Sequence, residues 1–220
     1  MVNIGVFCSS LDGKKKFSEC AHELGVKIAE SDLSLVYGGG KLGLMGIIAN
    51  AVKNNGSKVI SIIPNYLNKP SITFSESDEI HETKDLFERK RKLVQYSDIL
   101  VALPGGIGTI DEIFDALALF ALGESEKPIF IVNVDRFWDP FIELLNHLKE
   151  NKMIRSSKDK FIEAYKIQEK QKRSELLNEI RTEISEKHVS EILSEVIVGD
   201  ATKSIEKEIV RSELLKTGKR

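Results

Sequence analysis

The fold of this chain is decided by the stretch Asp98-Ile99-Leu100-Val101-Ala102-Leu103-Pro104-Gly105-Gly106-Ile107-Gly108-Thr109-Ile110-Asp111-Glu112. Its first six residues form an apolar run typical of a buried strand, and residues 113–120 continue with the apolar spacing of a helix. Three glycines separate the two elements, and backbone N–H groups in such a turn can approach an anion closely. The stretch therefore predicts a strand, a phosphate-binding turn and a helix that carries Glu112 on its first turn.

A second stretch repeats this arrangement. Residues 33–37 have the pattern of a strand, Gly38-Gly39-Gly40 that of a turn, and residues 42–53 that of a helix with an apolar face. Taken singly, each glycine turn is explained equally well by phosphate binding and by the conformational freedom that a tight turn needs. Two such turns in one domain favour a ligand, because parallel sheets bind ligands outside the carboxyl ends of their strands.

Strand patterns alternate with helical patterns along the chain, which predicts an α/β fold with a mostly parallel sheet and helices on both faces. A loop with Pro64 and Pro70 follows the third strand and leads to a helix near Lys84. Residues 161–167 have the pattern of a late strand. The five predicted strands lie near Val2–Cys8, Leu33–Tyr37, Lys58–Ile63, Asp98–Leu103 and Pro128–Val134.

Composition limits the classes of function. With 220 residues and 41% hydrophobic content the chain can bury one sizeable core. A formal net charge of −2 gives no basic field for nucleic acid, and no apolar run is long enough for a membrane helix. Cys8, Cys20 and the four histidines have no metal-ligand spacing. We therefore expect a cytoplasmic protein that binds neither nucleic acid nor a membrane and holds no metal.

The C-terminal part of the chain has a different composition. After Glu169 lysine and glutamate alternate with apolar residues at helical spacing. We expect a domain over residues 1–185 and a charged helical extension over residues 186–220. Mixed charge signs favour solvated helix faces over an arm dedicated to a partner.

Glu112 has two interpretations. Thr109 and Glu112 match the pattern of a capping box, in which both side chains bind free N–H groups at a helix start. The neighbouring glycines favour a chemical role instead. Ser9 and Ser10, which follow the first strand, similarly suit either a phosphate contact or a helix cap.

The basic cluster Glu88-Arg89-Lys90-Arg91-Lys92 lies in a predicted helix, so its cations cannot all point in one direction. Solvated positions are the simpler interpretation for Lys90, Arg91 and Lys92. One arginine can still turn inward and bind a phosphate or a carboxylate.

Taken together, these segments resemble the Lonely Guy (LOG) family of cytokinin-activating phosphoribohydrolases, long labelled "possible lysine decarboxylase". The resemblance is carried by residues 38–46, 88–90 and 104–112, with further matches at residues 6–10, 59–64, 133–135 and 139–140, and it covers about residues 1–185. No lysine has a recognisable pyridoxal phosphate setting, so the decarboxylase label has no support.

The resemblance implies a Rossmann-like homodimer or higher homo-oligomer that needs no cofactor and hydrolyses a nucleoside 5′-monophosphate to a free base and ribose 5-phosphate. Arg89 and Glu112 would be the catalytic pair. The predicted binding set comprises Ser9, Gly39, Gly40, Met45, Lys90, Gly105, Gly106, Gly108 and Thr109. A non-catalytic nucleotide-binding or carrier protein of the same fold is the alternative.

This assignment agrees with the chemistry. Breaking an N-glycosidic bond builds positive charge on the sugar, which a carboxylate stabilises while it orients water. Arg89 remains protonated and is suited to binding oxygens or the departing base. Asp115, one turn after Glu112, is placed to tune it. Phe87, Ala118 and Leu119 depart from the family pattern and leave open whether isopentenyl-type nucleotides or plain AMP are preferred.

Overall fold

The computed structural model describes residues 2–125, 127 and 129–154. A six-stranded sheet in the order β4-β3-β2-β1-β5-β6 forms their centre, and every neighbouring pair of strands is parallel. The strands are β1 (Asn3–Phe7), β2 (Ser34–Tyr37), β3 (Val59–Pro64), β4 (Glu79–Thr83), β5 (Ile99–Ala102) and β6 (Ile129–Ile131). The predicted α/β architecture is confirmed.

Helices cover both faces of the sheet. Alternate strand residues point to opposite faces, so Leu35 of β2 packs into one core while its neighbour Val36 packs into the other. The helices are α1 (Lys15–Glu30), α2 (Gly43–Asn54), α3 (Leu86–Tyr96), α4 (Ile107–Leu122) and α5 (Asp139–Glu150). Helices α1 and α2 contribute to the first core, and α3, α4 and α5 contribute to the second.

The sequence missed one strand. Residues 79–83 form β4 at the edge of the sheet, in a segment predicted to be a loop. Helix α3 begins at Leu86, two residues after the predicted start near Lys84. Within this strand Ile80 is 40% exposed, and only Thr83 is fully buried. Because an edge strand pairs on one side and needs little apolar surface, its hydrophobic pattern is weak. The other five strands lie where the sequence predicts them; four have shorter bounds, and β3 is shifted by one residue.

The strand order creates a crevice beside β1. The chain leaves β1 through α1 on one face, whereas α3, which precedes β5, packs on the opposite face. Loops that diverge in this way open a space at the carboxyl ends of the central strands. The glycine turns follow β2 and β5, the two neighbours of β1, so both reach this crevice.

A short segment after β3 fixes the first glycine turn. Phe74 N–H donates to the Gly39 carbonyl at 3.0 Å, and Lys41 N–H donates to the Ile72 carbonyl at 2.9 Å. The buried Tyr37 hydroxyl donates to the Gly40 carbonyl at 3.3 Å. These hydrogen bonds hold the first glycine turn in one defined shape.

Several predictions concern residues that the structure does not describe: the late strand at 161–167, the helices after Glu169 and the domain boundary at residue 185. Within residues 2–154, apart from 126 and 128, no helix is long and apolar enough to cross a bilayer. The same residues contain no cluster of three histidine, cysteine or acidic side chains that could hold a metal.

Candidate active site

A buried ion pair joins α3 to α4 at the crevice. Arg89 Nη1 donates to Glu112 Oε1 at 2.6 Å, and Arg89 Nε donates to the Ile62 carbonyl of β3 at 3.2 Å. The side chains of Arg89 and Glu112 are only 15% and 9% exposed. The arginine of the basic cluster that turns inward is therefore Arg89, and its partner is the glutamate of the second glycine motif.

The sequence of α3 explains why Arg89 faces inward. Asp85 Oδ1 accepts the Glu88 N–H at 2.7 Å and so fixes the start of the helix. Arg89 lies one turn before the buried Leu93, so the two side chains share the face that packs on the sheet. Arg89 is therefore buried because it lies on the apolar face of α3, whereas other basic residues of this helix lie on different faces.

Glu112 does not cap its helix. Gly106 is the N-cap of α4, which begins at Ile107, and no side chain makes a cap hydrogen bond there. The predicted first-turn position is wrong, because Glu112 lies on the second turn, where backbone N–H groups already have helical partners. The capping-box interpretation of Thr109 and Glu112 is wrong for the same reason.

Burial raises the pKa of Glu112 above its ordinary value, although the charge and hydrogen bond of Arg89 oppose the shift. Asp111 adds to the increase in the pKa of Glu112, and Lys90 reduces it. Cys8, directly after β1, is also buried, and burial followed by the charge of Glu112 raises the pKa of its thiol. The crevice thus holds a carboxyl group whose ionisation is sensitive to its neighbours.

Some glycines of the two turns are required by packing. A Cβ on Gly38 would collide with Arg89 Nη2, and one on Gly105 would collide with Thr109 Oγ1. A Cβ on Gly40 would lie 2.7 Å from Met45 Cε, and Gly39 has a φ of +78°. Gly39 and Gly105 therefore need glycine whether or not a ligand binds. At Gly38 and Gly40 an added Cβ would instead displace the movable end of the Arg89 or Met45 side chain.

Gly106 and Gly108 are different. No atom lies within 4 Å of a Cβ built on either residue, and neither has a positive φ. They form the exposed start of α4, a 16-residue helix whose first N–H groups have no intrahelical acceptor. Packing therefore does not account for these two glycines, and the helix N-terminus beside them is a position that an anion can approach closely.

Ser9 connects the loops around the crevice. Its N–H donates to the Pro104 carbonyl at 3.3 Å, and its carbonyl accepts the Met45 N–H at 3.2 Å. The Ser9 hydroxyl accepts the Leu11 N–H at 2.9 Å. Neither Ser9 nor Ser10 caps α1, which begins at Lys15 without a side-chain cap. Ser9 and Met45 are therefore brought close to both glycine turns.

Lys90 is not the solvated residue that the sequence suggests. Its side chain is only 12% exposed, and Nζ lies 3.0 Å from Asp111 Oδ1 and 3.4 Å from Asp115 Oδ1. Asp115 thus contacts Lys90, whereas the sequence placed it as a partner of Glu112. Lys92 pairs with Glu88 at 3.2 Å within α3. The sequence analysis also gave no role to Cys8 or Asp111, because both lie inside matching segments without a chemical role of their own in the pattern.

Comparison with known proteins identifies the family. The family model described as "Possible lysine decarboxylase" matches residues 45–174, more than half of the chain. The chain is 36% identical over 152 residues to cytokinin riboside 5′-monophosphate phosphoribohydrolase LOG3 of Arabidopsis thaliana, a match that covers 69% of this chain and 71% of that protein. The chain belongs to the LOG family.

Two rice members of the LOG family are similarly close. The chain is 39% identical over 153 residues to the probable cytokinin riboside 5′-monophosphate phosphoribohydrolase LOGL2 of Oryza sativa subsp. japonica, which covers 69% of this chain and 63% of that protein. It is 38% identical over 144 residues to LOG of the same organism, with 65% and 60% covered. The chain thus spans less than two thirds of the length of these two relatives.

Solved structures related to this LOG-family chain include molybdenum cofactor proteins. The molybdenum cofactor binding protein of Rippkaea orientalis aligns with a TM-score of 0.53 at 25% identity and covers 66% of this chain and 85% of that chain. The molybdenum cofactor carrier protein of Chlamydomonas reinhardtii aligns with a TM-score of 0.52 at 28% identity and the same coverage.

A second family model, "Polyribonucleotide nucleotidyltransferase, RNA binding domain", matches residues 149–220 of this LOG-family chain. The match covers less than half of the chain, and most of it lies beyond the residues that the structure describes. The expectation that the chain has no nucleic-acid partner therefore stays a prediction.

Proposed function

We propose that this protein hydrolyses the N-glycosidic bond of a nucleoside 5′-monophosphate, either AMP or a cytokinin riboside monophosphate, to a free base and ribose 5-phosphate. The observation that carries the proposal is the pairing of Arg89 with the buried Glu112. Glu112 lies on the second turn of α4, close to the start of this helix, where Gly106 and Gly108 carry no side chains. A phosphate at Gly106 and Gly108 would leave the attached sugar within the same crevice as the carboxyl group.

Glu112 would act on the reacting carbon. Cleavage gives the sugar oxocarbenium character, and a carboxylate stabilises that charge while it orients or deprotonates the attacking water. The bond between the anomeric carbon and the base nitrogen breaks, and a water oxygen forms the new bond to that carbon. The base leaves with the bonding electron pair and takes up a proton.

Arg89 would bind rather than transfer protons. A guanidinium stays charged at any physiological pH, so it is suited to holding ligand oxygens or negative charge on the departing base. In the described structure it is bound to Glu112 and the Ile62 carbonyl, and Nη2 lies against Gly38. This arrangement keeps Arg89 at the first glycine turn before a substrate arrives.

The phosphate would lie on backbone groups. Gly105, Gly106, Gly108 and Thr109 would receive it at the start of α4, where the helix dipole favours an anion. Gly39 and Gly40 would complete the site from the first turn, and Ser9 after β1 and Met45 of α2 would line it between the two turns.

We propose further that the protein is a cytoplasmic homodimer or higher homo-oligomer. An apolar stripe on the outer side of α4 supports this proposal: Ile107 is 83% exposed, Phe114 37% and Leu122 70%. Ala118 lies on the same stripe and is also exposed. Exposed apolar surface of this kind marks an interaction site, and we propose that a second copy of the chain covers it.

The proposed activity is tested by incubating the protein with AMP and, separately, with isopentenyladenosine monophosphate. Chromatography should detect free base in at least one reaction, together with an equal amount of ribose 5-phosphate. The nucleosides without phosphate are the matched controls and should react far more slowly, because they lack the anion. Absence of free base above the blank with both nucleotides would contradict the hydrolase proposal.

A non-catalytic nucleotide-binding or carrier protein is the second candidate. The similarity to a molybdenum cofactor carrier protein favours it, since that relative shares the fold. Binding without turnover would fit the glycine turns equally well. The buried pair of Arg89 and Glu112 favours the hydrolase, because a carrier has no need of a desolvated carboxyl group beside the ligand. AMP binding measured by calorimetry without release of base would support the carrier.

A further inference from the structure

Lys90 joins α3 to α4 beside the buried ion pair. It follows Arg89 directly in α3, and its partner Asp111 directly precedes Glu112 in α4. The consecutive residues Arg89 and Lys90 of α3 therefore pair with Glu112 and Asp111, which are consecutive in α4. The contact to Asp115, one turn further along α4, gives Lys90 a second anchor on the same helix.

We infer that Lys90 is a positioning residue, which holds α4 at the separation from α3 that the contact of Arg89 with Glu112 requires, and that it is not a ligand of the phosphate. The inference rests on the proposed function, because it concerns the same site. It replaces the binding role that the resemblance implies for Lys90 with a role that acts through Glu112.

The surroundings of Lys90 argue against phosphate binding. Its ammonium group lies within 3.4 Å of both Asp111 and Asp115 and 5.6 Å from the centre of the Phe87 ring. One cation between two carboxylates leaves a net negative charge, which repels an anion. A phosphate that approached this ammonium group would meet the negative charge of both carboxylates.

The same contacts set the charge around Glu112. Arg89 contacts its carboxyl directly, and the charges of Lys90 and Asp111 act on it from α3 and α4, while the Cys8 thiol lies near enough after β1 to be affected by Glu112. Lys90 lowers the pKa of Glu112 and Asp111 raises it. Removal of the Lys90 charge should therefore raise the pKa of Glu112, and removal of the Asp111 charge should lower it.

The test compares Lys90→Met, Asp111→Asn and the control Lys92→Met. Lys92 is also a cation of α3, and its partners are Glu88 and the Glu82 carbonyl. For Lys90→Met we expect kcat for AMP to fall on the order of 10-fold, since small displacements of reacting groups are costly. KM should change by less than about 2-fold, because uniform binding is not lost.

The pH profile separates positioning from a merely structural role. The acid limb of the kcat/KM profile is the pH range in which activity falls as Glu112 becomes protonated. This limb should move to higher pH in Lys90→Met and to lower pH in Asp111→Asn. It should not move in Lys92→Met. Melting temperature and circular dichroism confirm that each variant is folded. If Lys90→Met fails to fold, Asp111→Asn still tests the inference, because it removes the nearest partner of Lys90 and should lower kcat while KM stays unchanged.

Two outcomes would overturn the inference. A rise in KM of about 10-fold or more with unchanged kcat in Lys90→Met would return Lys90 to phosphate binding. Acid limbs that coincide in all variants would exclude the effect on Glu112. If the unaltered protein releases no base from any nucleotide, the proposed function fails by itself. Calorimetry of AMP binding then decides the inference: an unchanged affinity in Lys90→Met supports it, and an affinity about 10-fold weaker than that of the unaltered protein overturns it.

Discussion

A Cβ at position 38 would collide with Nη2 of Arg89, so the first glycine turn and the inward arginine fit together only while residue 38 is glycine. The contact links β2 to α3, two elements that are far apart in sequence. The contact explains why residue 38 is glycine without reference to a ligand. It also makes the position of the Arg89 side chain depend on the shape of the turn.

Gly38→Ala should therefore displace Arg89 and lower kcat for AMP by about 100-fold, the scale of a loss of precise orientation. Steady-state kinetics measure this loss. Gly25→Ala is the matched control, because its Cβ would collide with Ala51 of α2 instead. That variant should lose stability but keep its activity per folded molecule. Full activity of Gly38→Ala would show that the position of Arg89 is unimportant.

Glu112→Gln should reduce turnover by about 100-fold or more while it preserves the fold and the affinity for AMP. The amide keeps the shape of the side chain and an oxygen that faces Arg89, but it lacks the negative charge that stabilises the sugar cation. Kinetics and calorimetry measure the two effects separately. The exposed Glu19→Gln, whose parent side chain pairs with Lys15 on α1, serves as the control. Retained turnover in Glu112→Gln would remove the glutamate from the mechanism.

The activity should decline in acid at a higher pH than an ordinary glutamate would cause. Burial raises the pKa of Glu112 above its ordinary value of 4.5 against the opposing effect of Arg89. Because the ionised carboxylate is the active form, kcat/KM is full above this raised pKa and falls as the pH drops through it. A profile of kcat/KM against pH measures the limb. An acid limb whose midpoint lies at pH 4.5 or below would contradict the burial of this carboxyl group in solution.

Leu122→Arg should weaken the proposed self-association, because it places a charge in the apolar stripe of α4, where Leu122 is 70% exposed. Light scattering coupled to size exclusion should find a smaller assembly for this variant than for the unaltered protein. Tyr66→Arg, at a residue that is 50% exposed after β3, is the control and should leave the size unchanged. Equal sizes for all three proteins would place the interface elsewhere or show that none exists.

The sequence predicted the centre of the fold and of the site because their signals are local. Glycine turns between an apolar strand and a helix identify residues 38–40 and 105–108 without knowledge of the sheet order. Glu112 was predicted from the same motif. The inward turn of Arg89 was one of several options, since helical spacing alone does not say which face of α3 meets the sheet.

The remaining contacts depend on packing between segments distant in sequence. Strand β4 has one apolar residue, and its pairing with β3 at the sheet edge supplies what its pattern lacks. The contact of Lys90 with Asp111 and Asp115 requires knowledge of how α3 lies against α4. The burial of Cys8 near Glu112 follows from the strand order, which places the end of β1 beside the turn after β5.

Gly108→Ala gives the sharpest test of the anion site, because it should improve stability and impair binding together. No atom lies within 4 Å of a Cβ at this helical position, so alanine fits and should stabilise the protein by about 0.5–1 kcal/mol through its better helix propensity. The added methyl group would occupy the space that a phosphate needs at the start of α4. We expect the affinity for AMP to fall about 10-fold, as measured by calorimetry, while the melting temperature rises. Ala121→Gly, an exposed position of the same helix, should lower the melting temperature and leave the affinity unchanged. If Gly108→Ala instead raised stability and bound AMP normally, the glycine at this position would have no connection with a ligand.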